Sequence, residues 1–481
     1  MEKEHAKALE ARDLRIAALE AMVVELRAIV LAQAAKIAEL EARLKQNSSN
    51  SSRPPSGDPP GAPPPASPKP KSRRRRGGQR GHKRHERRMV PPERIAETHE
   101  LRPRKCRCCA TALVGSDPDP HRHQVVDVPR VLATAIEYRL HALDCTACGA
   151  TTKAALPEGV SRRVFGPRLV AMVGLLSGDY RLSKRLVEKI LEDFFGIDIS
   201  LGSVAKLEQE TACALGTAYV EAAEAIRQSP VVNADETGWT ENKRRAWLWV
   251  AVAANVVVFL IRTSRAGKVA RELLGAGFRG ILGSDRYSGY AWAEVKRRQV
   301  CWAHLKRDFA SFANYGNVAR GIGDNLDRER RRMLRWWRQV RAGTLPRDEF
   351  QKRMKKVEFA IGEFLRMGEQ CGVPKVAGMC HEILTLESAL FTFVYECGVE
   401  PTNNAAEQAL RRAVIWRKVS FGTDSERGSR FVERILTATS TLRAQQRNVL
   451  EFLVETIAAH RRGSPTPSLL RQPQNQLALA A

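Results

Sequence analysis

From residue 9 to residue 44 apolar side chains recur at a strict seven-residue step, Leu9, Ile16, Val23, Val30, Ile37 and Leu44. A second seam follows three residues later at Leu19, Leu26, Gln33 and Leu40. Mostly β-branched residues at the first position with Leu at the second favour a parallel two-stranded coiled coil, so residues 1–46 are expected to form a dimerising helix. The repeat ends at Asn-Ser-Ser-Asn-Ser-Ser from Asn47, and the chain is Pro-rich through Pro70. Residues 47–90 cannot build a core and are expected to be a disordered, semi-extended linker. Helical periodicity returns over 164–227. Within it, residues 181–195, a turn at Gly196 and a helix capped by Ser200 have helix-turn-helix proportions, which makes 161–228 a candidate DNA-binding region.

After Pro230 the pattern changes to strands. Residues 231–235 predict a short buried strand, 246–253 and 256–262 a hairpin turning at Ala254-Asn255, 267–275 a helix, 280–285 a fourth strand and 298–302 a fifth. From 310 to 398 the chain is helical and basic, and Thr402 or Asn403 can cap a further helix. Three strands, a helix and a fourth strand is the order of a ribonuclease H-like core. The expected fold is therefore multidomain α/β: a mixed five-stranded sheet with helices, contributed by 229–310 and 400–460, with a helical insertion at 311–399. The coiled coil and a zinc-binding domain precede this core, and 461–481 is expected to be a disordered tail.

Charge narrows the partners. A formal net charge of +26 and a pI near 10.1 point to a polyanion, with nucleic acid the leading class. No apolar run is long enough to span a bilayer and the N-terminus is not built as a signal peptide, so no membrane association is expected and the predicted location is cytoplasmic. Residues 71–88 carry ten Lys or Arg against one acid, Glu86. Arg73, Arg74, Arg75, Arg76, Arg80, Lys83 and Arg84 are candidates there for sequence-blind phosphate contacts. Ten cysteines are too dilute for a disulfide scaffold, but Cys106/Cys109 and Cys145/Cys148 form two C-x-x-C pairs. Four thiolates suit one tetrahedral structural zinc, which would staple residues 91–160. Segments 123–128 and 131–140, between the pairs, look strand-like.

Three acids carry the candidate chemistry. Asp235 lies on the first predicted strand of the core, Asp285 just past the fourth and Glu407 on the helix after the insertion. In this fold type such positions hold two magnesium (or manganese) ions for in-line displacement at phosphorus, Asp235 bridging both and the other two acids taking one each. Asn403, Glu407 and Arg411 are spaced four apart on one helical face. His304, Asn403, Asn404 and Arg411 are candidates to surround the ions, and Lys306, Arg307, Arg417 and Lys418 to contact the DNA backbone. Trp336 and Trp337 could stack on a displaced base, although a Trp pair on a helix is more often core.

Several local stretches together resemble the large DDE transposase subunit of the insertion sequence 66 family. They are Asn-Ser-Ser-Asn-Ser-Ser at 47, Gly-Gly-Gln-Arg-Gly-His at 77, the two cysteine pairs, Ala-Asp-Glu-Thr-Gly-Trp at 234, Ser-Asp-Arg-Tyr at 284, Cys-Trp-Ala-His-Leu-Lys-Arg-Asp-Phe at 301, Asn-Asn-Ala-Ala-Glu at 403, and Arg417-Lys418 with Ser420-Phe-Gly. The departures are Arg80 and Arg84 around Gly81-His82, and Cys108 and Ala110 in the first knuckle. The resemblance implies a DDE transposase of bacterial type, with Asp235, Asp285 and Glu407 as its triad. It further implies double-stranded DNA partners in terminal inverted repeats and target DNA, and two small accessory proteins of the same element. The implied reaction is hydrolysis at the element's ends followed by attack of the freed 3′-hydroxyl on target DNA. Two other readings use the same residues: a metal-dependent nuclease or resolvase, and a domesticated copy acting as a dimeric DNA-binding protein.

Overall fold

Helix α1 (Glu2–Leu44) is continuous, as its heptads predict, and its seam residues Ile16, Val23, Val30, Leu19 and Leu26 are exposed along the single chain. The structure, a computed structural model, describes residues 2–44, 46–47, 50, 89–158 and 160–470. The predicted basic run with Arg73, Arg74, Arg75, Arg76, Arg80, Lys83 and Arg84 lies outside the described residues, as does 471–481. The chain divides into two units, one of Met1–Ala62, Ala135–Asp193 and Ile197–Ala481, the other of Pro63–Thr134 with Phe194–Gly196.

Strands β1 (Ala142–Asp144) and β2 (Thr151–Lys153) form a short antiparallel hairpin with Cys145–Cys148 at its tip. The strands predicted at 123–128 and 131–140 are not formed: these residues have no ladder partner among the described residues, and Val126, Val128 and Ile136 are exposed. Apolar alternation proposes a strand, but pairing along a neighbouring edge is what makes one.

Helices α2 (Pro167–Ser177), α3 (Lys184–Phe195), α4 (Leu201–Ala214) and α5 (Gly216–Gln228) follow. Ser200 caps α4 as predicted, its hydroxyl accepting the Ser203 N–H at 3.2 Å. The main sheet comes next, with strands β3 (Val231–Glu241), β4 (Arg244–Val252) and β5 (Val257–Arg262), helix α6 (Gly267–Leu274), and strands β6 (Ile281–Ser284) and β7 (Arg298–Val300). Its order is β5-β4-β3-β6-β7; β3, β4 and β5 are antiparallel neighbours, while β6 and β7 run parallel to β3. One expectation is corrected here. The first strand does not stop at Asp235 but runs six residues further, to Glu241, and turns into β4 through Asn242 and Lys243, both at positive φ (48° and 59°). Two consecutive left-handed residues make the tight turn that matches strand twist, so the long arm of β3 exists because this turn gives it a partner.

Helix α7 (Trp302–Ser311) leads into α8 (Asn317–Arg341), α9 (Arg347–Glu369), α10 (Pro374–Leu384) and the short α11 (Glu387–Leu390) and α12 (Thr392–Tyr395). The predicted insertion is helical, yet its edge at 311 is not a packing boundary. Val300, Trp302, Leu305 and Phe309 share one buried cluster with Leu326, Trp337, Phe350 and Phe393. Trp337 belongs to that core, donating its indole N–H to Glu400 at 3.1 Å and meeting Phe393 edge-on, so it is not free to stack on a base.

The last helices are α13 (Asn404–Ser420), α14 (Glu426–Ala444) and α15 (Val449–Arg462). Helix α13 packs on β3 and β4; α14 runs along β5 and against α4 and α5, and α15 against α2 and α4. Residue 228 therefore does not close off an independent helical domain. Buried Asp179, after α2, ties this region to the C-terminal helices by ion pairs with Arg412 and Arg443 and a hydrogen bond from Thr439. Nor does a disordered tail begin at 461. Arg461 is bonded to Glu210, and Leu469 is buried with its carbonyl accepting from Gln445 and Arg447.

The free edge of the sheet is closed by side chains. Along α14, Glu433, Thr437 and Thr441 each accept one backbone N–H of β5, from Ile261 (2.6 Å), Phe259 (3.0 Å) and Val257 (3.0 Å). Four helical residues advance about 6 Å and two strand residues roughly 6.5 Å. The two repeats therefore stay in step over three contacts and cover an edge that would otherwise pair with another chain.

Candidate functional site

Asp235 sits inside β3, where alternation alone would place it on one face of a packed sheet. The next residue, Glu236, points the other way yet is also buried, with its side chain 1% exposed. Glu236 is satisfied by Arg265 (2.7 and 3.0 Å) and by the Tyr290 hydroxyl (2.7 Å). Arg265 in turn stacks between the rings of Trp247 and Tyr287, 4.6 and 3.9 Å from their centroids. Sequence reasoning missed this arrangement. Its only trace was the Asp-Glu-Thr-Gly-Trp context, in which the second acid reads as a neighbour rather than a partner.

Asp285 follows β6. Its carboxylate accepts the Tyr287 N–H at 2.9 Å, and buried Arg298 of β7 donates to its carbonyl at 3.2 Å. Glu407 stands on the first turn of α13. The start of that helix is fixed differently from the prediction: Asn403 occupies the capping position but makes no side-chain cap. Instead its side-chain amide donates to the Ala234 carbonyl at 3.4 Å, while its backbone N–H donates to the Cys301 sulfur at 3.4 Å. Buried at 1% exposure, Asn403 joins α13 to the strand residue just before Asp235.

The electrostatics bring the acids together. Burial pushes the Asp235 carboxyl well above the carboxylate range, and the charges of Glu236, Asp285 and Glu407 push it further. The Glu236 carboxyl is raised by burial and by Asp285, opposed by Tyr290 and Arg265. Burial alone would raise both groups, and the added contribution of the other acids places their charges near Asp235. His304 Nδ1 stands 3.6 Å from Glu407 Oε1, too far for a hydrogen bond, and both atoms are buried without a hydrogen-bond partner. Burial and Arg307 lower the His304 pKa, against the charges of Asp285, Glu407 and Asp308, which disfavours an ion pair with Glu407. Asp235, Asp285 and Glu407 offer oxygen donors of the kind a hard divalent cation takes, and could hold one.

The remaining predicted residues are dispersed in role. Lys306 and Lys418 are exposed, and Arg307 is partly buried. Arg417 is committed to the strand, donating to the Gly238 carbonyl and to Thr237 Oγ1. Asn404 and Arg411 are exposed on α13.

The cysteine turns are alike. In the first, Ala110 donates to the Cys106 carbonyl (3.0 Å) with φ 58°; in the second, Gly149 donates to the Cys145 carbonyl (2.8 Å) with φ 73°. Ala110 thus takes the left-handed conformation that Gly supplies without strain. Hydrogen bonding from Thr111 lowers the Cys109 thiol to about 7, and backbone N–H groups of Cys148 and Ala147 lower that of Cys145. Both turns favour the thiolate form, as metal ligation requires.

The candidate acids thus lie on β3, just after β6 and on α13, which packs on β3 and β4, and comparison supplies the family. The profile of the transposase IS66 family matches residues 162–430, more than half of the chain, and the chain belongs to that family. A separate family of unknown function matches residues 7–88. Among relatives, the uncharacterized protein y4qI of Sinorhizobium fredii (strain NBRC 101917 / NGR234) is 26% identical over 280 residues, 51% of this chain and 50% of that protein. The uncharacterized protein y4hP of the same strain is 25% identical over 409 residues, 74% of this chain and 70% of that protein. The chain spans about half the length of the first of these. Among the described residues no helix is long and apolar enough to cross a membrane.

Proposed function

We propose that the protein is a DDE transposase with a ribonuclease H-like core, which cuts DNA at the ends of an insertion sequence and joins the 3′-hydroxyl ends to target DNA. What supports this reading is that the chain belongs to the transposase IS66 family and that the charges of Asp285 and Glu407, distant in sequence, bear on Asp235. Magnesium or manganese ions held by these three acids would supply Lewis-acid charge for in-line displacement at phosphorus. The other residues prepare the site. Arg265 pairs with Glu236 and the Tyr290 hydroxyl donates to it, whereas Asp235 has no ion pair among the described residues. Asn403 sets the start of α13, and with it the reach of Glu407, against Ala234. Lys306 and Lys418 are free to meet phosphate, whereas Arg417 serves the fold.

In the same reading the basic linker and the 161–228 helices bind terminal inverted repeats, and α1 pairs two copies. Each C-x-x-C turn presents thiolates to structural zinc, and two small accessory proteins of the element act alongside. The protein works in the bacterial cytoplasm at the nucleoid.

The test is a joining assay: full-length protein, magnesium, labelled terminal-repeat DNA and a target plasmid, with and without the accessory proteins. Joined products in wild type and none in Asp235→Asn, Asp285→Asn or Glu407→Gln are expected. Cleavage without joining, accessory proteins included, would point to a nuclease. Wild-type activity in Asp235→Asn would remove the carboxylate site.

A further inference from the structure

Cys301 has no part in the carboxylate chemistry, yet it lies beside it. Its sulfur, a ring nitrogen of His304 and a carboxylate oxygen of Glu407 all lie within 4.8 Å of one another. Cys301 occupies the position preceding α7 and His304 lies in that helix's first turn, so the C-x-x-H spacing turns both side chains to one side. Cys301 is fully buried, while the Glu407 side chain is 32% exposed and gives the cluster an opening to solvent. His304 Nδ1 and Glu407 Oε1 are 3.6 Å apart and neither has a hydrogen-bond partner. Two buried polar atoms without a partner are costly, and a cation bound between Nδ1 and Oε1 would satisfy both. A thiolate, an imidazole and a carboxylate are the donors of a borderline-soft ion such as zinc, whereas magnesium takes oxygen and rejects the sulfur.

We propose that Cys301, His304 and Glu407 form a zinc-class site that shares Glu407 with the carboxylate site. Occupation engages Glu407 away from Asp235 and Asp285, and zinc-class ions therefore inhibit the magnesium-dependent reaction. The inhibition rests on the function proposed above; the binding does not. Coordination forms a bond between zinc and the sulfur and releases the thiol proton to solvent, with no change of oxidation state. The fourth position of the tetrahedron is left to water on the open side.

Cobalt(II) is the probe, titrated into full-length protein and read by its thiolate charge-transfer absorption. Metal at the Cys106 and Cys145 turns absorbs as well, but cancels in the difference between wild type and Cys301→Ser. We expect a thiolate–cobalt band in that difference, one cobalt fewer per chain in Cys301→Ser, and a cobalt affinity about tenfold to a hundredfold lower in His304→Ala. The zinc concentration that halves magnesium-dependent cleavage should rise by a similar factor in Cys301→Ser. A flat difference spectrum, with both proteins folded by circular dichroism, overturns the proposal. Should Cys301→Ser fail to fold, Glu407→Gln, which leaves the sulfur in place, must weaken cobalt binding; unchanged affinity there overturns it equally. A cobalt band alongside cleavage that survives Asp235→Asn would keep the zinc-class site and refute the proposed function. No band alongside Asp235-dependent cleavage would do the reverse.

Discussion

Thr437→Val isolates the closure of the sheet edge. Valine has the shape of threonine, so the substitution leaves no cavity at fully buried Thr437 of α14 and removes only the oxygen that accepts the Phe259 N–H at 3.0 Å. That N–H is then buried and unpaired, which costs about 1–3 kcal/mol. Because the chain has more than one unit, a single unfolding temperature would blur the effect. Hydrogen exchange of the β5 peptide reads it locally. If opening of the edge becomes easier by that amount, exchange should quicken about 5- to 150-fold. Thr437→Ser keeps the hydroxyl and loses one methyl, about 0.8 kcal/mol by area alone, so its exchange should stay near the lower limit. Exchange in Thr437→Val within about twofold of wild type, or slower than in Thr437→Ser, would refute the claim that α14 satisfies the edge.

Three further outcomes are expected. Burial holds the Glu433 carboxyl up to about 7, above its unfolded value of about 4.5, so the folded state binds the extra proton and stability falls as pH rises from about 4.5 to about 7; urea titrations across that range should show this slope in wild type and its loss in Glu433→Gln. Asp235 is likewise raised, so with divalent ions chelated Asp235→Asn should be more stable than wild type, increasingly so as pH climbs above the unfolded carboxylate range, while DNA cleavage is abolished; equal or lower stability at pH 8 would contradict the crowding of the acids. Arg265→Ala strands Glu236, and because Arg265 is 39% exposed the loss should fall near the lower end of about 3–5 kcal/mol, with Glu236→Gln in the same chain restoring part of it in a double-mutant cycle.

The candidate acids and most elements were legible in the sequence because each has a local cause. Ser200 caps a helix through its own hydroxyl, and the apolar runs at β4 and β5 bound strands close to the predicted limits. Elsewhere local signals misled. The strands predicted at 123–128 and 131–140 lack partners, and β3 outruns its apolar run because β4 pairs with its polar end. Asn403 reads as a helix cap and serves as a tie between α13 and β3.

By itself the sequence determined the heptads of α1, the thiol pairs, the succession of strands and helices, and the identities of Asp235, Asp285 and Glu407. These follow from side-chain periodicity and from residue chemistry, which act over a few neighbours. Only the tertiary structure decided that Glu236 is paired with Arg265 and bonded by Tyr290, that Trp337 is core, that α2, α4 and α5 pack on α14 or α15, and that Cys301 and His304 stand beside Glu407. The physical reason is distance along the chain. Desolvation, charge crowding and hydrogen-bond satisfaction depend on which surfaces meet in space, and residues 301 and 407 or 259 and 437 carry no mark of one another until the sheet and its covering helices have closed.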